Sequence, residues 1–243
     1  TTMRDRERAE RLMRQREQTA QAYFRDHAGE WDRIRSRHVA ESAVEAAMCG
    51  AMGPGPFRLL VDLGTGTGRT LELFAATYER ALGLDVNETM LAVARANLAG
   101  LGLSKAQVRH GDIYDLSLAD AQADAVVVHQ VLHYLSEPAA AIREAARILA
   151  PGGRMLIVDF AAHGIEALRK EHAHARLGFE TAEIATWCRE AGLNLGEPIT
   201  LPPAEVGSGQ LTVMLWTADK PAPAGARGDT QPKARSKALQ EIR

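Results

Sequence analysis

The stretch that most constrains this 243-residue chain is RLLVDLGTGTG, residues 58–68. Its first part is an apolar run interrupted only by Asp62. Alternate strand residues face opposite sides of a sheet, so a run without alternation reads as a strand covered on both faces. Gly64, Gly66 and Gly68 then follow at every second position. Glycine permits a tight turn and lets a ligand lie against the backbone. A helix is expected over 69–77, and its first N–H groups would be free to meet an anion. Strand, glycine turn and helix together open a βαβ unit.

The rest of the chain repeats that unit. Further strands read over 81–86, 107–112, 123–130 and 154–160, separated by helices over 88–99 and 138–149. Asn87 is placed to cap the first of these, and Pro138 suits the first turn of the second. Helices are also expected over 40–49, 164–176 and 181–191. The final two strands, 194–201 and 210–218, are joined by a loop without a helix, which predicts one antiparallel strand. The fold class is therefore α/β: a Rossmann-like, seven-stranded, mostly parallel sheet with helices on both faces and an N-terminal helical extension. Four segments follow: a charged extension (1–18), a helical lid or cap (19–56), the main domain (57–218) and a Pro-, Ala- and charge-rich tail (219–243) read as disordered. Within the lid, Tyr23, His27, Trp31 and Ile34 recur as a helical stripe.

Charge narrows the function. Residues 1–20 carry six Arg against four acids and residues 218–243 carry six basic against three acidic residues, leaving −7 between them. A core that acidic argues against a nucleic-acid surface. No apolar run reaches the length of a membrane span. Cys49 and Cys188 form no disulfide framework or zinc spacing, so a cytoplasmic setting is the expectation.

In an open α/β sheet, ligands bind beyond the carboxyl ends of the strands. Four such ends are informative. The first is Asp62-Leu63-Gly64-Thr65-Gly66-Thr67-Gly68. A dinucleotide fingerprint would need glycine at 69, where the chain has Arg69, and no phosphate-binding P-loop is present. The second is Asp85, whose carboxylate can accept both hydroxyls of a ribose. The third is Gly111-Asp112-Ile113, with Asp112 able to accept from an adenine amino group and Ile113 lying against the ring. The fourth is the polar patch His129-Gln130-Val131-Leu132-His133-Tyr134. His129 and His133 share a helical face, but no third ligand stands at a known metal spacing, and no metal is expected.

This set of strand ends resembles the class I S-adenosylmethionine-dependent methyltransferases over about residues 19–217. The stretches YFRDHAGEWDRIRSRHVAE, LGTGTGR, HQVLHY and EHAHARLGF further resemble the methyltransferase half of bacterial ArsR-type regulator/methyltransferase fusions. No winged helix precedes Thr19 in this sequence. The resemblance implies S-adenosylmethionine as cofactor. Asp62, Gly64, Thr65, Gly66 and Gly68 would surround its methionine part, Asp85 and Val86 its ribose, and Gly111, Asp112 and Ile113 its adenine. Met90 would cover the other adenine face, with His129 and Gln130 bordering the sulfonium.

The implied activity is methyl transfer to a small-molecule acceptor, with homodimerisation allowed. Tyr23, Trp31 and Tyr134 are candidates for touching that acceptor. A neutral oxygen or nitrogen acceptor needs a base, and His133, His163 and His172 are the candidates because imidazole titrates near neutrality. The rival reading is a non-catalytic sensor that binds S-adenosylmethionine or its demethylated product within a regulator. A nicotinamide dehydrogenase is disfavoured by Arg69.

Overall fold

A computed structural model describes residues 8, 11, 18–30, 40–203 and 210–222. Trp31, Ile34 and nearly all of the two charged ends lie outside them. The described chain is an α/β sheet with helices on both faces, as the strand–helix alternation predicts. The strands are β1 (Phe57–Leu63), β2 (Tyr78–Asp85), β3 (Ala106–His110), β4 (Ala123–His129), β5 (Leu149–Phe160), β6 (Asn194–Leu195), β7 (Ile199–Leu201) and β8 (Val213–Asp219). Their order is β3-β2-β1-β4-β5-β8-β6, with β7 also on β8. Strands β1 to β5 pair in parallel, and β8 runs antiparallel to β5 and to β6 and β7.

The single strand expected over 194–201 is thus two short pieces on one edge of β8. Asn194 pairs with Asp219, whereas Ile199 pairs with Leu215, so the register slips by one residue between them. Pro198 lies in the break, where it has no N–H to give to the ladder. At the other end of β8, the strand runs through Asp219, and Lys220 N–H still bonds Gly153 O at 2.9 Å. The paired backbone therefore reaches two residues past the expected boundary at 218.

Residues 18–27 form helix α1. The others are α2 (Glu41–Met52), α3 (Arg69–Leu73), α4 (Glu88–Gly100), α5 (Pro138–Ile148), α6 (Ala167–Glu171) and α7 (Thr181–Glu190). Helix α3 is five residues rather than the nine expected, and α6 is also five. After Leu73 the chain turns back directly into β2, which begins three residues earlier than its apolar pattern suggested. Asn87 caps α4 as anticipated: its side chain accepts from the N–H groups of Thr89 and Met90.

The reason β1 lacks alternation is visible in the two cores. Leu59, Val61 and Leu63 pack on one face with Ile142 and Ala145 of α5 and Ile184 of α7. Leu60 packs on the other with Met48 of α2 and Leu91 and Ala94 of α4. At about 25 cal/mol per Å² of apolar surface removed from water, such double coverage is the main stabilising contribution. Cys49 and Cys188 are both free. Among the described residues, no helix is long and apolar enough to cross a membrane.

Candidate functional site

A cleft opens at the carboxyl ends of β1, β2 and β4, where the strand order reverses direction from β1. Its non-atom space, mouth included, is about 950 Å³. The floor is the loop after β1. Gly64 N–H and Thr65 N–H both bond Leu84 O, at 2.8 and 3.0 Å, so the loop is laced to the end of β2. Gly64 has φ +72°, and a Cβ there would lie 2.4 Å from Val131 Cγ2. Only glycine therefore fits beneath the Val131 wall. Gly68 has φ +83° and lies against Ala94 of α4. Helix α3 behind it is five residues long, and its Thr70 lines the cleft. Arg69 points into a bidentate pair with Glu45 of α2, at 2.7 and 2.9 Å.

Asp85 stands on the rim. Its Oδ2 accepts from Gly66 N–H and its Oδ1 from Asn87 N–H, each at 2.9 Å. Burial pushes the Asp85 carboxyl up from its ordinary range, opposed by these backbone donors. A carboxylate offers about four lone-pair sites.

The opposite wall is the turn after β4. Gln130 takes a left-handed φ of +54°, and its N–H bonds Val158 O at 2.7 Å. Leu132–Tyr134 then form a 3-10 turn. Helix α1 roofs the mouth. Its Ala20, Gln21 and Phe24 line the cleft, and the Phe24 ring meets Tyr134 edge-on at 4.6 Å. The roof is fastened on both sides. Asn87 Nδ2 donates to Gln21 O and Oε1, both at 3.1 Å, and Tyr23 Oη pairs with His172 Nδ1 at 2.6 Å.

Most of the residues singled out in the sequence meet in this one cleft. Gly64, Thr65, Gly66, Asp85, Val86, Met90, Gly111, Ile113, His129, Gln130 and Tyr134 all line it. Three of the cofactor set do not. Asp62 is buried within β1 at 1% exposure, and Gly68 is occupied in packing on α4. Asp112 is exposed, and its Oδ1 accepts Tyr114 N–H at 2.9 Å, the turn chemistry that Gly-Asp commonly supplies.

The three histidines weighed as bases are not lining residues either. His133 Nδ1 pairs with Asp159 at 2.8 Å, in a site 1% exposed. His163 Nδ1 accepts Ile165 N–H at 3.2 Å, so its lone pair is used, and burial lowers its pKa. His172 is committed to Tyr23. Tyr23 thus faces His172 rather than the cleft, and Trp31 falls outside the described residues. Among the described residues, no three His, Cys, Asp or Glu side chains are grouped to hold a metal.

The sequence reading assigned no role to Ala20, Gln21, Phe24, Thr67, Thr70 and Leu135, which also line the cleft. Its stripe through Tyr23 and His27 weighted side-chain size. The more deeply buried stripe is Ala20, Phe24 and Ala28, with the two alanines 3% and 5% exposed. That i, i+4, i+8 spacing was available as a signal.

Comparison with known proteins agrees with this geometry. Residues 61–157 match the family model described as a methyltransferase domain. The demethylmenaquinone methyltransferase of Clavibacter sepedonicus is 32% identical over 120 residues, covering 49% of this chain and 48% of that protein. The ubiquinone/menaquinone biosynthesis C-methyltransferase of Caulobacter sp. (strain K31) is 33% identical over 135 residues, covering 52% and 53%. The chain spans about half the length, or less, of the curated relatives it matches. Among solved structures, YcgJ of Bacillus subtilis superposes with a TM-score of 0.64 at 19% identity, over 74% of this chain and 99% of that one. Geranyl diphosphate C-methyltransferase of Streptomyces coelicolor A3(2) superposes at 0.63 and 16%, over 74% and 77%. Residues 61–157 of this chain thus resemble a methyltransferase domain, and the sheet that carries them shares its fold with these solved structures.

Proposed function

We propose that the chain binds S-adenosylmethionine in the β1–β2–β4 cleft and transfers its methyl group to a small-molecule acceptor. The observation that carries this reading is the pairing of a Cβ-free floor at Gly64 with the Asp85 carboxylate on the rim, two of whose acceptor sites are already held by backbone. The arrangement suits a ribose diol, which donates two hydrogen bonds side by side. Gly64, Thr65 and Gly66 would lie under the amino-acid part, and Ile113 and Met90 would enclose the adenine. The bound cofactor supplies an electrophilic methyl group on a sulfonium. This chain's own contribution is to orient the partners and exclude water.

Tyr134 and Phe24 meet edge-on in the lining of the cleft, and we place the acceptor beside them. Burial raises the Tyr134 phenol well above its ordinary pKa, so it stays neutral and serves as a donor and ring surface rather than a base. The quinone methyltransferases among the relatives act on small acceptors of this general kind, which supports the class without naming the compound.

The fold alone does not specify the reaction: a [4+2]-cyclase, SpnF, superposes with a TM-score of 0.64. Two measurements therefore test the proposal. Titration calorimetry with S-adenosylmethionine and S-adenosylhomocysteine should give saturable binding; absence of heat at millimolar ligand overturns it. Incubation with a panel of hydroquinones and phenols should release S-adenosylhomocysteine. Binding without turnover on any acceptor replaces the enzyme reading by that of a cofactor sensor.

A further inference from the structure

We propose that Asp159 is a positioning residue for this cleft, acting through His133 to fix the wall that the cofactor meets. The inference rests on reading the cleft as the cofactor site. Asp159, near the end of β5, is 0% exposed. Its carboxylate accepts from His133 Nδ1 at 2.8 Å, His133 N–H at 3.3 Å and Phe160 N–H at 2.8 Å. With a carboxylate as its partner, Nδ1 carries an imidazole proton. Nε2 is itself buried and, among the described residues, has no hydrogen-bond partner. His133 O meanwhile accepts from Ala175 N–H and Arg176 N–H, at 2.9 and 3.0 Å.

His133 is thus a knot. It ties the turn after β4 to β5 on one side and to the loop before α7 on the other. Gln130, Val131 and Tyr134, which flank it, all line the cleft, and Val131 is the residue whose methyl groups require glycine at position 64. A buried carboxylate costs desolvation, and an apolar pair of the same shape packs at least as stably. What an apolar pair lacks is direction. Three hydrogen bonds converging on one carboxylate set both the backbone and the ring of His133. That precision matters where a displacement of about 1 Å changes ligand geometry.

The test uses S-adenosylhomocysteine as probe on the full chain. D159N keeps the size of the side chain but replaces one acceptor oxygen by a donor. It should weaken binding by about tenfold, the order expected when a buried donor loses its partner. H133A should lose a similar factor, and H133N, whose amide can donate to Asp159 as Nδ1 does, should recover most of it. Ile184→Val, in the core away from the cleft, serves as a control that lowers stability without loosening binding. Imidazole 15N spectra of the wild type should show Nδ1 protonated. The proposal is overturned by the opposite tautomer, by D159N binding as tightly as wild type, or by H133N losing as much as H133A. Failure of the wild-type chain to bind the probe overturns instead the reading of the cleft itself.

Discussion

The floor and the wall of the cleft are built by different means. The floor is backbone bonded to neighbouring strand ends: Gly64 and Thr65 to Leu84, Gly66 to the Asp85 side chain, and Gly111 N–H to Asp85 O at 3.0 Å. These contacts follow from parallel pairing of β1, β2 and β3, and they leave little freedom once the sheet exists. The wall and roof depend on side chains far apart in sequence. His133 holds Asp159 across 26 positions, Asn87 holds Gln21 across 66 and Tyr23 holds His172 across 149. The contrast makes a graded set of expectations.

The largest effect should come from the floor. Gly64→Ala places a Cβ 2.4 Å from Val131 at φ +72°. Left-handed strain of ~1–2 kcal/mol plus ~1–3 kcal/mol of overpacking gives about 3 kcal/mol of lost stability, read by urea denaturation. A loss below about 0.5 kcal/mol, the range of an ordinary surface change, would mean that floor and wall are not in contact.

Next is Asp85→Ala, which removes two backbone-anchored acceptors from the rim. S-adenosylhomocysteine affinity should fall about 100-fold, since hydrogen bonds to a charged group are worth ~1.5–3 kcal/mol. Equal affinity in calorimetry refutes the ribose role.

The same carboxyl sets a pH dependence. Its pKa is raised by burial, so the fold favours the protonated form. The stability it contributes is present below its unfolded pKa and is lost as pH rises through the raised folded value. Near neutrality the ionised Asp85 is therefore a cost that a donating diol offsets. Binding should weaken as pH falls through that raised pKa, and the dependence should flatten in Asp85→Asn. A pH profile unchanged by the substitution assigns the effect to another group.

The ties of the roof should matter least. Asn87→Ala removes the cap of α4 and the bonds to Gln21, for about 1 kcal/mol of stability. Tyr23→Phe breaks the bond to His172, worth ~0.5–1.5 kcal/mol. Its expected signature is faster exchange of bound S-adenosylhomocysteine in stopped-flow, with affinity little changed. If instead Tyr23→Phe weakens binding as strongly as Asp85→Ala, the distinction between floor and roof fails.

Legibility in the sequence followed the same division. Residues 58–68, Asp85 and Asn87 were readable because each rule involved is local: strand period, glycine at positive φ, and a side-chain cap. The strand ends then placed Gly64, Gly66, Asp85 and Ile113 in a common cleft without any knowledge of long-range contacts. The break at Gly196-Glu197-Pro198 was less legible, since an apolar pattern records which residues are covered but not where pairing slips. The histidines were misleading in a different way. Residue type marks His133, His163 and His172 as titratable, yet their chemistry depends on what meets Nδ1, and in each case that partner is supplied by the folded chain.

Local patterning, then, suffices to specify the α/β sheet, its glycine loop and the acidic rim, because those features arise from backbone geometry over a few residues. The company each side chain keeps across the cleft, Asp159 with His133 and Phe24 with Tyr134, emerges only on folding, because packing and hydrogen bonding between distant segments leave no periodic trace along the chain.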